Sequence, residues 1–241
     1  MRNSLRMTGA MNRLLVLIGT ATLAVSAHAD LWSNFDEPGS VIHYGGTIFD
    51  IQASGGNDLT LTGRFNLNLD VNSLDTSDTT ESVAVYYREG SYLGHIANDG
   101  SNLGDWTLLG TGIANVAGDG NRSLLDVGSS LNLTAGQTYG LAIFALDGGA
   151  AGIGYRSGTG SVNVAPQNTF TSGELTVSGG VAKGFGLASN PFATHNGSST
   201  QRLFAGEIEY TAAAPVPEPA SMAALGLGAL ALIRRRKAAK K

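Results

Sequence analysis

The chain has 241 residues, with 15 Lys and Arg against 19 Asp and Glu and no cysteine. The lack of cysteine excludes disulfides and thiolate metal sites. The net charge of −4 hides an uneven distribution: residues 30–214 hold six cations against 18 carboxylates, a net of −12, which argues against nucleic acid and anionic lipid as partners.

The N-terminus opens with Arg2, Arg6 and Arg13, followed by an apolar run from Leu14 to Val25. Ala27-His28-Ala29 then forms a small-x-small cleavage site. Together these read as a secretory signal peptide over residues 1–29, cut between Ala29 and Asp30. The expected partners are the Sec translocon and signal peptidase, and the signal segment is expected to be helical. Met11-Asn-Arg-Leu-Leu is the more ordinary start for such a signal, in which case residues 1–10 precede the true initiator.

Residues 30–212 are long enough for one domain with a real core. The pattern is β. Leu59, Leu61, Phe65, Leu67 and Leu69 alternate with Thr60, Thr62, Arg64, Asn66, Asn68 and Asp70, and Gly63 fills the apolar phase. A period of two predicts a strand with one wet face. Phe204, Ile208 and Tyr210 alternate in the same way with Leu203, Ala205, Glu207 and Glu209 and predict a second strand. Further strands are predicted over 47–53, 82–88, 106–113, 138–146, 152–156 and 174–181. Turn clusters such as Ser54-Gly-Gly-Asn57, Asn98-Asp-Gly-Ser-Asn102 and Gly118-Asp-Gly-Asn121 separate them. Short strands with Gly-rich turns and no long amphipathic helix imply an all-β fold, an antiparallel sandwich or jelly roll. Tyr139 follows a polar turn and enters an apolar strand, the arrangement of a tyrosine corner, whose hydroxyl bonds backbone groups upstream.

Catalytic motifs are sparse. No G-x-S-x-G elbow, Walker loop or G-x-G-x-x-G occurs. His43, His95 and His195 stand apart in sequence and read as solvated or hydrogen-bonded side chains. The carboxylates include no pair that spacing singles out for glycoside hydrolysis. Calcium is the one cofactor suggested, through Asp70, Asn72 and Asp75 and through Asp99, Asn102 and Asp105, although neither run fits an EF-hand. Asp and Asn in loops more commonly stabilise turns. For sugar stacking the candidates are Trp106, Tyr86 and Tyr92, with Tyr87, Tyr155 and Trp32 in reserve, although aromatic residues in a sandwich are mostly core and packing is the favoured role for each. Tyr86 and Tyr87 are adjacent in a strand, so one is expected to face outward.

The C-terminal end is the most specific part of the chain. An extended Pro-rich linker, Pro215-Val-Pro-Glu-Pro219, precedes an apolar span from Ala220 to Ile233 and the cluster Arg234-Arg235-Arg236-Lys237. Prolines keep such a linker extended and open to a processing enzyme. The 14-residue span is about 21 Å as a helix, shorter than the roughly 30 Å hydrocarbon core. This suits a transient anchor with its basic end held in the cytoplasm. This tripartite order resembles the PEP-CTERM sorting signal of Gram-negative bacteria, carried by Val216-Pro217-Glu218-Pro219-Ala220-Ser221, the span and the basic cluster. The resemblance implies that Pro217, Glu218 and Pro219 are read by an exosortase, a membrane-embedded cysteine transpeptidase-like enzyme. It also implies that the inner membrane holds the chain during sorting, and that the protein belongs with exopolysaccharide and biofilm matrix at or beyond the cell surface. The body, through Val85-Tyr-Tyr-Arg-Glu89, Asp105-Trp-Thr-Leu-Leu109, Leu133 to Phe144 and Phe204 to Tyr210, is similar to a β module of bacterial surface proteins.

Three functions follow as expectations: a non-catalytic surface or matrix protein, a carbohydrate-binding sandwich, and a hydrolase with dispersed carboxylates. The first accounts for the tail and the sparse chemistry together.

Overall fold

The computed structural model describes residues 26–31 (backbone alone), 42–71, 79–97, 101–148, 151–186, 188–195, 199–212 and Arg235. The strands run in chain order as β1 (Ser26–Leu31), β2 (Ile42–Tyr44), β3 (Gly46–Ala53), β4 (Leu59–Leu67) and β5 (Leu69–Val71). They continue as β6 (Thr80–Glu89), β7 (Thr107–Asn115), β8 (Ser123–Asp126), β9 (Leu131–Leu133) and β10 (Thr138–Ala145). The last are β11 (Ala151–Ser161), β12 (Thr169–Ser172), β13 (Leu175–Lys183), β14 (Thr200–Phe204) and β15 (Gly206–Ala212). A short 3₁₀ turn covers Ser101–Asp105.

The fold is all-β, as the period of two requires. The strands form two antiparallel sheets. The smaller has the order β1-β15-β4-β8, with β9 also paired to β4. The larger runs β2-β11-β14-β13-β3-β10-β6-β7, with β12 and β5 at its margins. The helices expected at the two ends fall outside the described residues. Among the described residues, no helix is long and apolar enough to cross a membrane.

β4 shows the sequence logic directly. Its apolar phase is buried and its polar phase half-buried at every step. Burying each of Leu61, Phe65 and Leu67 stabilises the fold by about 2 kcal/mol. Gly63 holds the apolar phase because its φ is +81° and a Cβ there would run into the Ser129 carbonyl. The inner faces of the two sheets meet in the main core, which includes Phe49, Ile51, Leu61, Phe65, Val83, Leu141, Ile143 and Ile208. Phe49 and Phe204 stack within it at 4.7 Å between ring centres.

The larger sheet is buried on its second face as well. Ile48, Ala142, Phe144 and Val181 point away from the main core and join Tyr92, Ile96, Trp106, Val162 and Phe192 in a separate cluster. This explains why β3 and β10 are buried along nearly their whole length. A one-residue bulge in β13 makes Val181 a member of that outer cluster. Between Ser178 (opposite Asp50) and Val181 (opposite Ile48), β13 carries one residue more than β3. The bulge reverses the side-chain phase, so Leu175 and Val177 face the main core while Val181 faces the outer cluster. Gly180 allows it, since any Cβ there would overlap the Ile48 carbonyl.

The structure corrects two strand expectations. The alternation from Leu59 to Asp70 breaks at Asn68, where the chain leaves β4 in the smaller sheet and enters β5 at the margin of the larger one. The alternation from Leu203 to Tyr210 is not one strand. It breaks at Ala205, where the chain leaves β14 in the larger sheet and enters β15 in the smaller one. Both strands are half of a sandwich wall, so the alternation persists across the break and conceals it.

Candidate functional site

Three of the aromatic candidates meet in the outer cluster, and the structure gives them a packing role. Tyr92 is fully buried and Trp106 is 7% exposed, so neither offers a ring face to a sugar. Trp106 stacks on Phe192 at 5.2 Å and its indole N–H donates to the His95 carbonyl at 3.2 Å. Tyr86 is half-buried, edge-on to Phe144 and Phe192. The expectation that one of Tyr86 and Tyr87 faces outward is also corrected. Tyr87 packs on the main core and Tyr86 on the outer cluster, because both faces of this sheet are covered. Tyr155 is 3% exposed beneath the Arg202 guanidinium, and Trp32 lies outside the described residues.

The loop after β6 is held over this cluster by a buried carboxylate. One Asp50 oxygen accepts from the Ser91 hydroxyl at 2.5 Å, the other from the Tyr92 amide at 2.8 Å. Burial dominates its titration and pushes its pKa up to about 6, against the opposing pull of those two bonds and of Arg88. The same burial, with the Asp50 charge beside it, raises the pKa of Tyr92. Lys183, fully buried, donates to the carbonyls of Ile96 and Ala97 at 3.4 and 3.5 Å. Glu81, also buried, accepts from the amides of Asp147 and Ala151 and closes the loop between β10 and β11. Burial again is the main cause that raises its pKa. Spacing gave no sign of these three groups, since their partners lie tens of residues away.

The calcium candidates divide. Asn72, Asp75 and Asp99 lie outside the described residues. Asp70 accepts from the Val71 amide. Asn102 accepts from the Ala97 amide at 2.5 Å and donates to Asp105, which also pairs with His95 Nδ1 at 2.7 Å. These are turn-stabilising bonds. Among the described residues, no three His, Asp or Glu side chains gather as a metal site. The other histidines are likewise hydrogen-bonded, His43 to Asn68 at 3.1 Å and His195 to the Tyr44 hydroxyl at 2.8 Å. Tyr139 is the expected corner: its hydroxyl accepts from the Thr134 amide at 3.2 Å.

One aromatic group that sequence reasoning passed over lies nearer the surface. The Tyr44 ring sits 6.1 Å from Phe185 and 5.8 Å from His195. Tyr44 and Phe185 are half-buried and His195 is exposed. The three come from β2 and from the loop after β13, 151 residues apart at the extremes, so no local signal joins them.

At the ends of the chain, Ala27, Ala29 and Asp30 belong to β1, where they are registered with Tyr210, Ile208 and Glu207 of β15. Pro217, Glu218, Pro219, Arg234, Arg236 and Lys237 lie outside the described residues, and Arg235 is exposed.

Comparison with known proteins identifies the tail. Residues 215–237 match the PEP-CTERM protein-sorting motif. No curated protein matches the chain. A solved structure, the infectious bursal disease virus VP2 subviral particle, aligns at 13% identity over 90% of this chain and 48% of its own, with a TM-score of 0.20. The chain spans about half the length of that viral chain, and a score this low carries no argument about fold or function. The motif makes exosortase the processing partner and places processing at the membrane, on an exported chain. The protein therefore carries a PEP-CTERM sorting motif over residues 215–237, behind an all-β body.

Proposed function

We propose that this is an exported protein with a cleaved signal peptide, sorted by exosortase to the cell surface or extracellular matrix, where its β-sandwich acts without catalysis in an exopolysaccharide-rich biofilm. The observation that carries the reading is the sorting motif at residues 215–237. The acidic body, with a net charge of −12 over residues 30–214, supports it by favouring solubility outside the cell. Replacing Pro217, Glu218 and Pro219 by alanine is expected to leave the body folded and to block maturation. Fractionation with a gel shift reads this, and unchanged processing would count against the assignment.

Carbohydrate binding is the second reading, and the Tyr44–Phe185–His195 group is the observation that favours it. An aromatic ring over a pyranose face is its working element. A glycan array of the folded body, with and without calcium, tests it. Binding that disappears in Tyr44→Ala supports the reading, and no binding in either condition removes it.

A further inference from the structure

The register of β1 on β15 brings the two ends of the chain together. Ser26 is paired with Thr211, and Leu31 with Gly206. Ser26 therefore lies at the same end of the smaller sheet from which the chain leaves at Ala212 toward the sorting motif. Neighbouring antiparallel strands are about 5 Å apart.

That end is a built surface. Ala212 is opposite Leu59, and Leu59 is opposite Leu133. Its loops, residues 54–58, 134–137 and 172–174, are bound to one another. Ser54 N–H donates to the Glu174 carbonyl at 2.8 Å, Ala135 N–H to Asp58 at 2.8 Å, and Gly136 N–H to the Ala53 carbonyl at 2.9 Å. Glu174 N–H donates to the Tyr210 hydroxyl at 3.0 Å. Between them lies a shallow cavity of ≈ 380 Å³ lined by Gln52, Ala53, Ser54, Gly56, Ala135 and Gly136.

The reach of the chain is short. Residues 213–219 span at most about 25 Å when fully extended. The nine residues of β4 run about 30 Å from this end to the other. An enzyme that grips the motif at the membrane must therefore work in a gap no wider than the domain is long. The loops facing that gap contain no Lys, no Arg and no large apolar residue, only small and polar side chains with Asp58 and Glu174. They have neither the cations that hold anionic headgroups nor the wedges that enter lipid. A small-residue, concave, preformed surface suits a protein partner.

We infer that the end of the sandwich formed by residues 54–58, 134–137 and 172–174 docks against the outward face of the membrane-embedded processing enzyme, so that sorting reads the folded body together with the motif. The inference rests on the proposed exosortase processing. The chain has no native cysteine, so single cysteines can be placed cleanly in the full-length protein. Gln137→Cys marks the near end and Ala117→Cys the far end; both positions are exposed. Spheroplasts of the exporting cell are treated with a membrane-impermeant maleimide carrying a benzophenone and then illuminated. The expected result is a band shifted by the mass of the processing enzyme from position 137 and no such band from position 117. Equal yields from both positions, or lipid adducts alone from position 137, overturn the inference while leaving export standing. Labelling at neither position shows that the body is not outside the membrane, and overturns the sorting reading together with this one.

Discussion

Single side chains reveal how the outer face of the larger sheet is closed. Asp50 is the clearest. Its folded pKa lies near 6, above the unbound value of 3.8, because burial outweighs the Ser91 and Tyr92 hydrogen bonds. A raised carboxyl pKa means that the folded state holds its proton more tightly than the unfolded chain. Stability from this group is therefore full below pH 3.8 and declines as the pH rises to about 6, by up to about 3 kcal/mol. Asp50→Asn should flatten that portion of the stability–pH curve, read by urea unfolding between pH 4 and 7. A slope identical to the wild type would show that Asp50 is not the group responsible. At Tyr139, replacement by Phe keeps the ring and removes the hydroxyl that accepts from the Thr134 amide and donates to the Thr134 hydroxyl. The expected cost is about 1 kcal/mol in the same assay, and no cost would remove the corner from the account. Tyr139 was legible in sequence because a turn and a strand flank it locally. Asp50 was not, because Ser91 is 41 residues away.

At the scale of elements, β13 decides how the two faces of the larger sheet are shared. Its bulge lets one strand serve the main core with Leu175 and Val177 and the outer cluster with Val181. Gly180→Ala places a methyl group against the Ile48 carbonyl. The strand must shift or lose its register, at a cost of about 3 kcal/mol. A thermal midpoint equal to the wild type would mean that the bulge accepts a side chain. The strands at β3, β4, β6, β7, β10, β11 and β13 were legible from period two or from apolar runs. β8, β9 and β12 were not, being three or four residues long and too short to show a period. The β14–β15 break escaped notice because both halves bury the same phase. Tyr92 and Trp106 stayed open as stacking candidates for a related reason: alternation reveals that a sheet has two faces, but not that loops cover the second one.

At the scale of the whole molecule, a pleated acidic body stands between two hydrophobic ends. The body's architecture followed from its alternation, and the tail's role from its order of proline, apolar and basic segments. The role of the body did not follow. Surface groups such as Tyr44, Phe185 and His195 are assembled only by the completed topology. The pairing of β1 with β15 adds a constraint that the sequence could not express. The residues around the expected signal-peptide cut hydrogen-bond to the strand that leads into the sorting motif. An extended strand held in a sheet is a poor protease substrate, so cutting at Ala29 is expected to precede docking of β1.

The central claim is that residues 215–237 are a processing signal on an exported body, and the intact mass of the protein recovered from exporting cells tests it most directly. The account requires a chain shortened at both ends, with the basic cluster Arg234-Arg235-Arg236-Lys237 gone. A full 241-residue mass recovered from the cell surface, or an untrimmed chain in the cytosol, would contradict it.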